Sequence, residues 1–129
     1  MLELYPAQAY KLLRAQKDAI LIDVRSEVEF LFVGHAEAAI HIPWYQEPGW
    51  EINPDFIETL RQAVGHHERP ILFICRNGNR SQEAGKVAEQ HGFTQVYNVL
   101  NGFEGDLDES NRRGLLNGWR YEDLPWEQC

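Results

Sequence analysis

The chain has 129 residues, enough for one compact core at roughly 100–200 residues per domain. With 43% hydrophobic and 25% charged residues and no low-complexity tract, it falls outside the disordered, collagenous and coiled-coil compositions. Twelve basic against twenty acidic side chains give a net charge of −8, which disfavours the phosphate contacts that dominate nucleic-acid affinity, so DNA and RNA are not expected partners.

The longest apolar runs, 19–22 and 71–75, fall far short of the roughly 20 residues that span a bilayer, and no membrane association is expected. The start, Met1 to Pro6, lacks the basic and apolar regions of a signal peptide, and a cytoplasmic location follows as the expectation. Two cysteines, Cys75 and Cys129, cannot supply a disulfide framework or a four-ligand zinc site of the usual spacing.

In chain order, Pro6 to Gln16 places Ala9, Leu12 and Leu13 on one stripe with proline at a favoured first position, the pattern of a short amphipathic helix. Ala19 to Val24 is apolar and β-branched without alternation, as in a strand covered on both faces. Ser26, with Glu29 three residues on, forms a capping box for a brief helix through Phe30 and Leu31 that Gly34 ends. Ala39 to Ile42 reads as a short strand stopped by Pro43, and Trp44 to Trp50 as an aromatic loop. Asn53-Pro54 opens a second helix with Phe56, Ile57, Leu60 and Val64 on one face, ending at Gly65.

Pro70 to Cys75 is the second fully apolar strand; a polar loop follows, then a helix from about Ser81 to His91. Gln95 to Leu100 is a further strand, Asn101-Gly102 a turn, and Phe103 to Glu109 a short helical turn. The tail carries Trp119 and Trp126, too much apolar area to leave in water. Strands alternating with helices specify an α/β domain with a mainly parallel sheet and helices on both faces. In such sheets ligands bind beyond the carboxyl ends of the strands, where Cys75 falls.

The loop after Cys75 reads Arg76, Asn77, Gly78, Asn79, Arg80, Ser81. A glycine lets successive N–H groups turn toward one centre, the following helix N-terminus adds unsatisfied donors, and Arg76 and Arg80 add two cations. Each favours an anion, and a thiolate at Cys75 is one. A cysteine ending an apolar strand is often a small core hydrophobe. The polar run behind this one does not fit an apolar core.

On these residues the chain resembles the rhodanese-like sulfurtransferase family. The likeness runs from Ile22-Asp-Val-Arg25 through Glu29-Phe30, Gly34-His35 and Ile42-Pro43 to the Cys75–Ser81 loop and Asn101-Gly102-Phe103. It implies a three-layer α/β domain over 1–129, with a central mainly parallel sheet between helices and 110–129 as a tail packed back on it. It further implies a Cys75 nucleophile that takes a sulfane sulfur from a small anionic donor, thiosulfate or a persulfide. The sulfur then passes to a thiol or protein acceptor, without metal or organic cofactor. Residues 76 to 81 would form the anion-binding loop. A non-catalytic binding or redox-sensing module is the alternative. Cysteine phosphatases and arsenate reductases, a third class, place five residues between cysteine and arginine; Cys75 and Arg80 are separated by four, a smaller ring better suited to one sulfur atom.

Asp23, Arg25 and His35 are read as supporting residues: the first two as a pair with each other or with Glu29, His35 as a hydrogen-bonded framework residue. Ala36-Glu37-Ala38 departs from the apolar-Pro-Gly sequence usual after Gly-His in this family. Asn101 stands where a second glycine is common, and asparagine tolerates the left-handed region best after glycine. Trp44, Tyr45 and Trp50 are candidate pocket walls, His66-His67 reads as a solvated loop rather than a metal site, and Cys129 is a candidate resolving thiol.

Overall fold

The computed structural model describes residues 1–128, and Cys129 lies outside the described residues. Its first elements are β1 (Leu2–Leu4), α1 (Pro6–Ala15), β2 (Ile20–Asp23) and a π-helical turn over Glu29–Val33. Then come β3 (His35–Ala36), β4 (Ile40–His41), β5 (Tyr45–Gln46), β6 (Glu51–Ile52) and α2 (Phe56–Val64). The chain continues through β7 (Ile71–Ile74), α3 (Asn79–Gln90), β8 (Val96–Val99) and β9 (Trp126–Glu127). Five strands form one parallel sheet in the order β1-β8-β7-β2-β4. β7 is central, paired Ile22 to Phe73 on one side and Leu72 to Tyr97 on the other.

Side-chain alternation sorts the central strands between two cores. Ile20, Ile22, Ile71, Phe73 and Cys75 meet Phe56, Leu60 and Val64 of α2 and Ala84 and Ala88 of α3. Leu21, Leu72, Ile74 and Val99 point the other way, against Ala9 of α1, Phe103 and Trp119. Burial on both faces explains why β2 and β7 read as unbroken apolar runs. The tail returns to the α1 face: Trp119 is buried edge-on to Tyr10, its Nε1 donates to the Pro125 carbonyl at 2.9 Å, and β9 pairs antiparallel with β3.

Several elements differ from their sequence pattern. The capping box at Ser26 and Glu29 forms, with Ser26 Oγ on Glu29 Oε1 at 3.0 Å and Glu29 N on Ser26 Oγ at 3.3 Å, but the turn it starts is widened to a π-helical one. The segment after Asn101-Gly102 is a set of turns instead of a helical one, because its N–H groups bond to carbonyls of the Cys75 loop. The aromatic loop contains an antiparallel ladder between β5 and β6 that its composition does not signal.

Candidate active site

Cys75 follows the last residue of the central strand, and the chain then turns through Asn77 and Gly78 into α3. Gly78 takes φ +106°, a conformation costly for any residue with a Cβ, and this aims its N–H back at the sulfur, 3.1 Å from Sγ. Ser81, in the first turn of α3, places Oγ 3.2 Å from the same sulfur. The positive end of a twelve-residue helix also faces this point. Cys75 itself is 0% exposed, so the sulfur is enclosed, yet its enclosure includes a backbone donor and a hydroxyl as well as core hydrocarbon.

Below Ser81 lies Asn98 of β8, 1% exposed. Its amide nitrogen donates to the Gly78 carbonyl at 3.2 Å and to Glu3 Oε2 at 3.3 Å, which turns Oδ1 toward Ser81 Oγ, 2.5 Å away. A hydroxyl has one hydrogen to share between Asn98 and Cys75. With a protonated thiol, the hydrogen stays on Asn98 and Oγ accepts from S–H; a sulfur anion can draw it onto Sγ.

Arg80 is committed elsewhere than the sequence suggests. Its guanidinium binds Glu29 through two hydrogen bonds, 2.8 and 2.9 Å. Burial raises the Glu29 carboxyl, but the hydrogen bonds and charge of Arg80, helped by Ser26, outweigh it and hold the pKa at about 2. Arg80 responds in kind: burial lowers it, and Glu29, then Cys75 and Asp23, more than compensate and push it up. Arg76 stays exposed and makes no ion pair among the described residues.

The supporting residues form a separate buried layer. Arg25 and Asp23, both 0% exposed, pair with each other at 2.7 Å; Arg25 also donates to the Gly34 carbonyl at 2.6 Å and lies over the Phe103 ring. His35 stacks on Phe30, with Nδ1 2.7 Å from the Phe30 carbonyl and Nε2 3.3 Å from Glu127. Trp44 is buried against Phe56, while Tyr45 and Trp50 reach a cavity beside the loop together with Arg76 and Arg80. His66 faces Asp18 and His67 packs edge-on to Phe93.

The back of the loop is braced by the turn after β8. Phe103 N donates to the Cys75 carbonyl at 2.8 Å, and Glu104 and Gly105 both donate to the Arg76 carbonyl, at 3.0 and 3.1 Å. Gly102 makes this approach possible: with φ +61°, a Cβ there would strike the Cys75 carbonyl oxygen and come within 2.6 Å of the Arg76 carbonyl carbon. Asn101 sits beside it at φ +66°, the left-handed conformation that its replacement of glycine requires. Asn98, Glu104 and Arg113 near the site escape sequence reasoning, and Glu29 enters it as a cap, as part of the family likeness and as an alternative partner of Asp23 and Arg25, whereas its partner is Arg80. Asn98 carries only the oddity of an amide inside an apolar strand, and Arg113 lies in an irregular tail.

A cysteine at the carboxyl end of a central parallel strand, held by a glycine-turned amide and the start of a helix, defines a small class of α/β sulfur or phosphoryl-group enzymes and their binding relatives. Residues 5–109 match the rhodanese-like domain model, and the chain belongs to that family. It is 38% identical to a protein of known crystal structure, Rv0390 from M. tuberculosis, with a TM-score of 0.89 covering 100% of this chain and 98% of that one. It is 33% identical over 89 residues to the thiosulfate sulfurtransferase GlpE of Vibrio cholerae, covering 69% of this chain and 73% of that protein. A polysulfide-sulfur transferase homodimer from Wolinella succinogenes has a TM-score of 0.69 at 25% identity, over 100% of this chain and 80% of that one. No helix among the described residues is long and apolar enough to cross a membrane.

Proposed function

We propose that the protein is a sulfurtransferase that moves a sulfane sulfur from thiosulfate or a persulfide to a thiophilic acceptor through a Cys75 persulfide. The observation that carries this reading is the pair of donors on one sulfur, Gly78 N–H at 3.1 Å and Ser81 Oγ at 3.2 Å, at the head of α3. Hydrogen bonds to a charged group contribute about 1.5–3 kcal/mol each, and both fall on the atom that must carry negative charge.

The Cys75 thiolate attacks the outer sulfur of thiosulfate; the new S–S bond forms as the old one breaks, and sulfite leaves with the electron pair. Arg76, exposed and in no ion pair among the described residues, attracts the donor, while Arg80 acts with Glu29 as a neutral, rigid wall. An acceptor thiolate then attacks the outer sulfur of Cys75-S-S⁻ and restores the Cys75 thiolate. Because Cys75 is fully enclosed, loading requires the side chains between Sγ and the neighbouring cavity to part.

That same enclosure favours one second reading, a rhodanese-like module that binds a partner without turnover. One experiment separates them. Exposure to thiosulfate, followed by intact-mass measurement, should add one sulfur mass to the wild type and none to Cys75→Ser, and the loaded protein should return sulfur to cyanide. Absence of any Cys75-dependent mass gain would refute the transferase reading.

A further inference from the structure

Two donors meet at the Cys75 sulfur, and one buried side chain touches both of the residues that carry them. Asn98 stands in β8, next to the central strand, with 1% of its surface exposed. Its Nδ2 donates to the carbonyl of Gly78, the residue whose N–H points at Sγ. Its Oδ1 faces the Ser81 hydroxyl at 2.5 Å, against 3.2 Å from that hydroxyl to Sγ. A buried amide is costly unless its groups are bonded, and here β1 completes the set through Glu3 Oε2, 3.3 Å from Nδ2. The Gly78 carbonyl and the Glu3 carboxylate are both acceptors, so turning the amide over would set oxygen against oxygen. Asn98 is thereby locked to present an acceptor, and only an acceptor, to Ser81.

We propose that Asn98 is a positioning residue that sets the ionisation of Cys75 by competing with its sulfur for the single Ser81 hydroxyl hydrogen. While Cys75 is a thiol, Asn98 holds that hydrogen and no buried acceptor stands empty. On ionisation the thiol proton leaves to solvent, the hydroxyl turns from Oδ1 to Sγ with its O–H bond intact, and Oδ1 loses its donor. Sulfur gains one hydrogen bond only as Asn98 loses another, so the thiol titrates above the point that Gly78 and Ser81 would set unopposed. The consequence is a stronger nucleophile, because nucleophilicity falls as thiol pKa falls. Its use in catalysis rests on the sulfur-transfer reading, whereas the competition itself does not. The charged groups around Cys75 take no part in the exchange. Arg80 is paired with Glu29, and Asp23 with Arg25 at the end of β2. Arg76 and Glu104 border the neighbouring cavity, Glu3 faces Asn98, and α2 turns only Phe56, Leu60 and Val64 to this core.

Thiolate absorbance of the full chain in a Cys129→Ser background, read as the difference from the same chain with Cys75→Ser, reports the titration. Asn98→Leu should lower the Cys75 pKa by about one unit, Ser81→Ala should raise it, and Asn98→Leu added to Ser81→Ala should move it little. A residue that only supported the loop would, when lost, loosen the Gly78 donor and raise the pKa in both backgrounds. With Asn98 in place, its side-chain amide resonance should shift at the Cys75 midpoint and lose most of that shift in Ser81→Ala, an arm that decides the matter even if Asn98→Leu does not fold. A pKa raised or unmoved by Asn98→Leu, an equal shift in both backgrounds, or an amide resonance blind to Cys75 ionisation would overturn the assignment. The opposed shifts without a Cys75-dependent sulfur mass gain keep this role and sink the sulfurtransferase reading; mass gain without them does the reverse.

Discussion

Replacing Glu29 by Gln removes the negative half of the pair flanking the loop while nearly preserving its shape. In the folded protein the Glu29 carboxyl sits at about 2, against an ordinary value of 4.5, because Arg80 outweighs the effect of burial. A carboxyl held below its unfolded value stabilises the fold fully above that value and loses the contribution as pH falls toward the folded one. The window is therefore from about 4.5 down to about 2. At about 1.4 kcal/mol per pH unit the gap amounts to about 3 kcal/mol. The two side chains keep 20% and 19% of their exposure, so solvent screening trims the expected effect to about 2 kcal/mol. Urea unfolding of wild type and Glu29→Gln, followed by tryptophan fluorescence near pH 7 and again near pH 2, measures it, since the other carboxylates cancel in the difference. The wild type should lead near neutrality and the gap should close in acid. A gap equal at both pH values would show that the pair is not what holds Glu29 ionised.

Three further outcomes follow from the packing around the loop. Gly102→Ala drives a Cβ into the Cys75 and Arg76 carbonyls at a positive φ, and should cost about 1–3 kcal/mol in urea unfolding and slow sulfur loading measured by intact mass. Ser81→Ala removes the one hydroxyl hydrogen that Asn98 Oδ1 and Cys75 Sγ share; about 1–3 kcal/mol of stability should go, and a loaded sulfur should be lost faster in a mass time course. Trp119→Ala empties a site that is 2% exposed under α1 and should lower unfolding free energy by about 3–5 kcal/mol, whereas an effect below about 1 kcal/mol would mean the tail does not hold the sheet.

What the sequence makes legible follows from how local each cause is. β2 and β7 are readable because burial on both faces forces an unbroken run of Ile, Leu and Phe, and α2 because Phe56, Leu60 and Val64 recur at helical spacing before a glycine. Cys75 stands out because five polar residues and a glycine follow a buried strand. The edge strand β1 is not readable: Leu2-Glu3-Leu4 is three residues long, largely exposed, and becomes a strand only by pairing with β8, more than ninety positions later. The same holds for the site. That Glu29 neutralises Arg80, that Asn98 supports Ser81, and that Arg113 shares a cavity with Arg76 are facts about elements far apart in the chain. Periodicity and composition carry no record of such meetings.

The turn after β8 has a further bearing on how the loop treats charge. By gripping the oxygens of residues 75 and 76 from behind, it dictates which way those two peptide planes face. A peptide rotated by half a turn would present its oxygen, and so the negative end of its dipole, to the sulfur on which the proposed transfer places negative charge. Polarity at the sulfur is thus decided by an outside grip on the main chain, and a change at a residue with no side chain could invert it while every charged group kept its place.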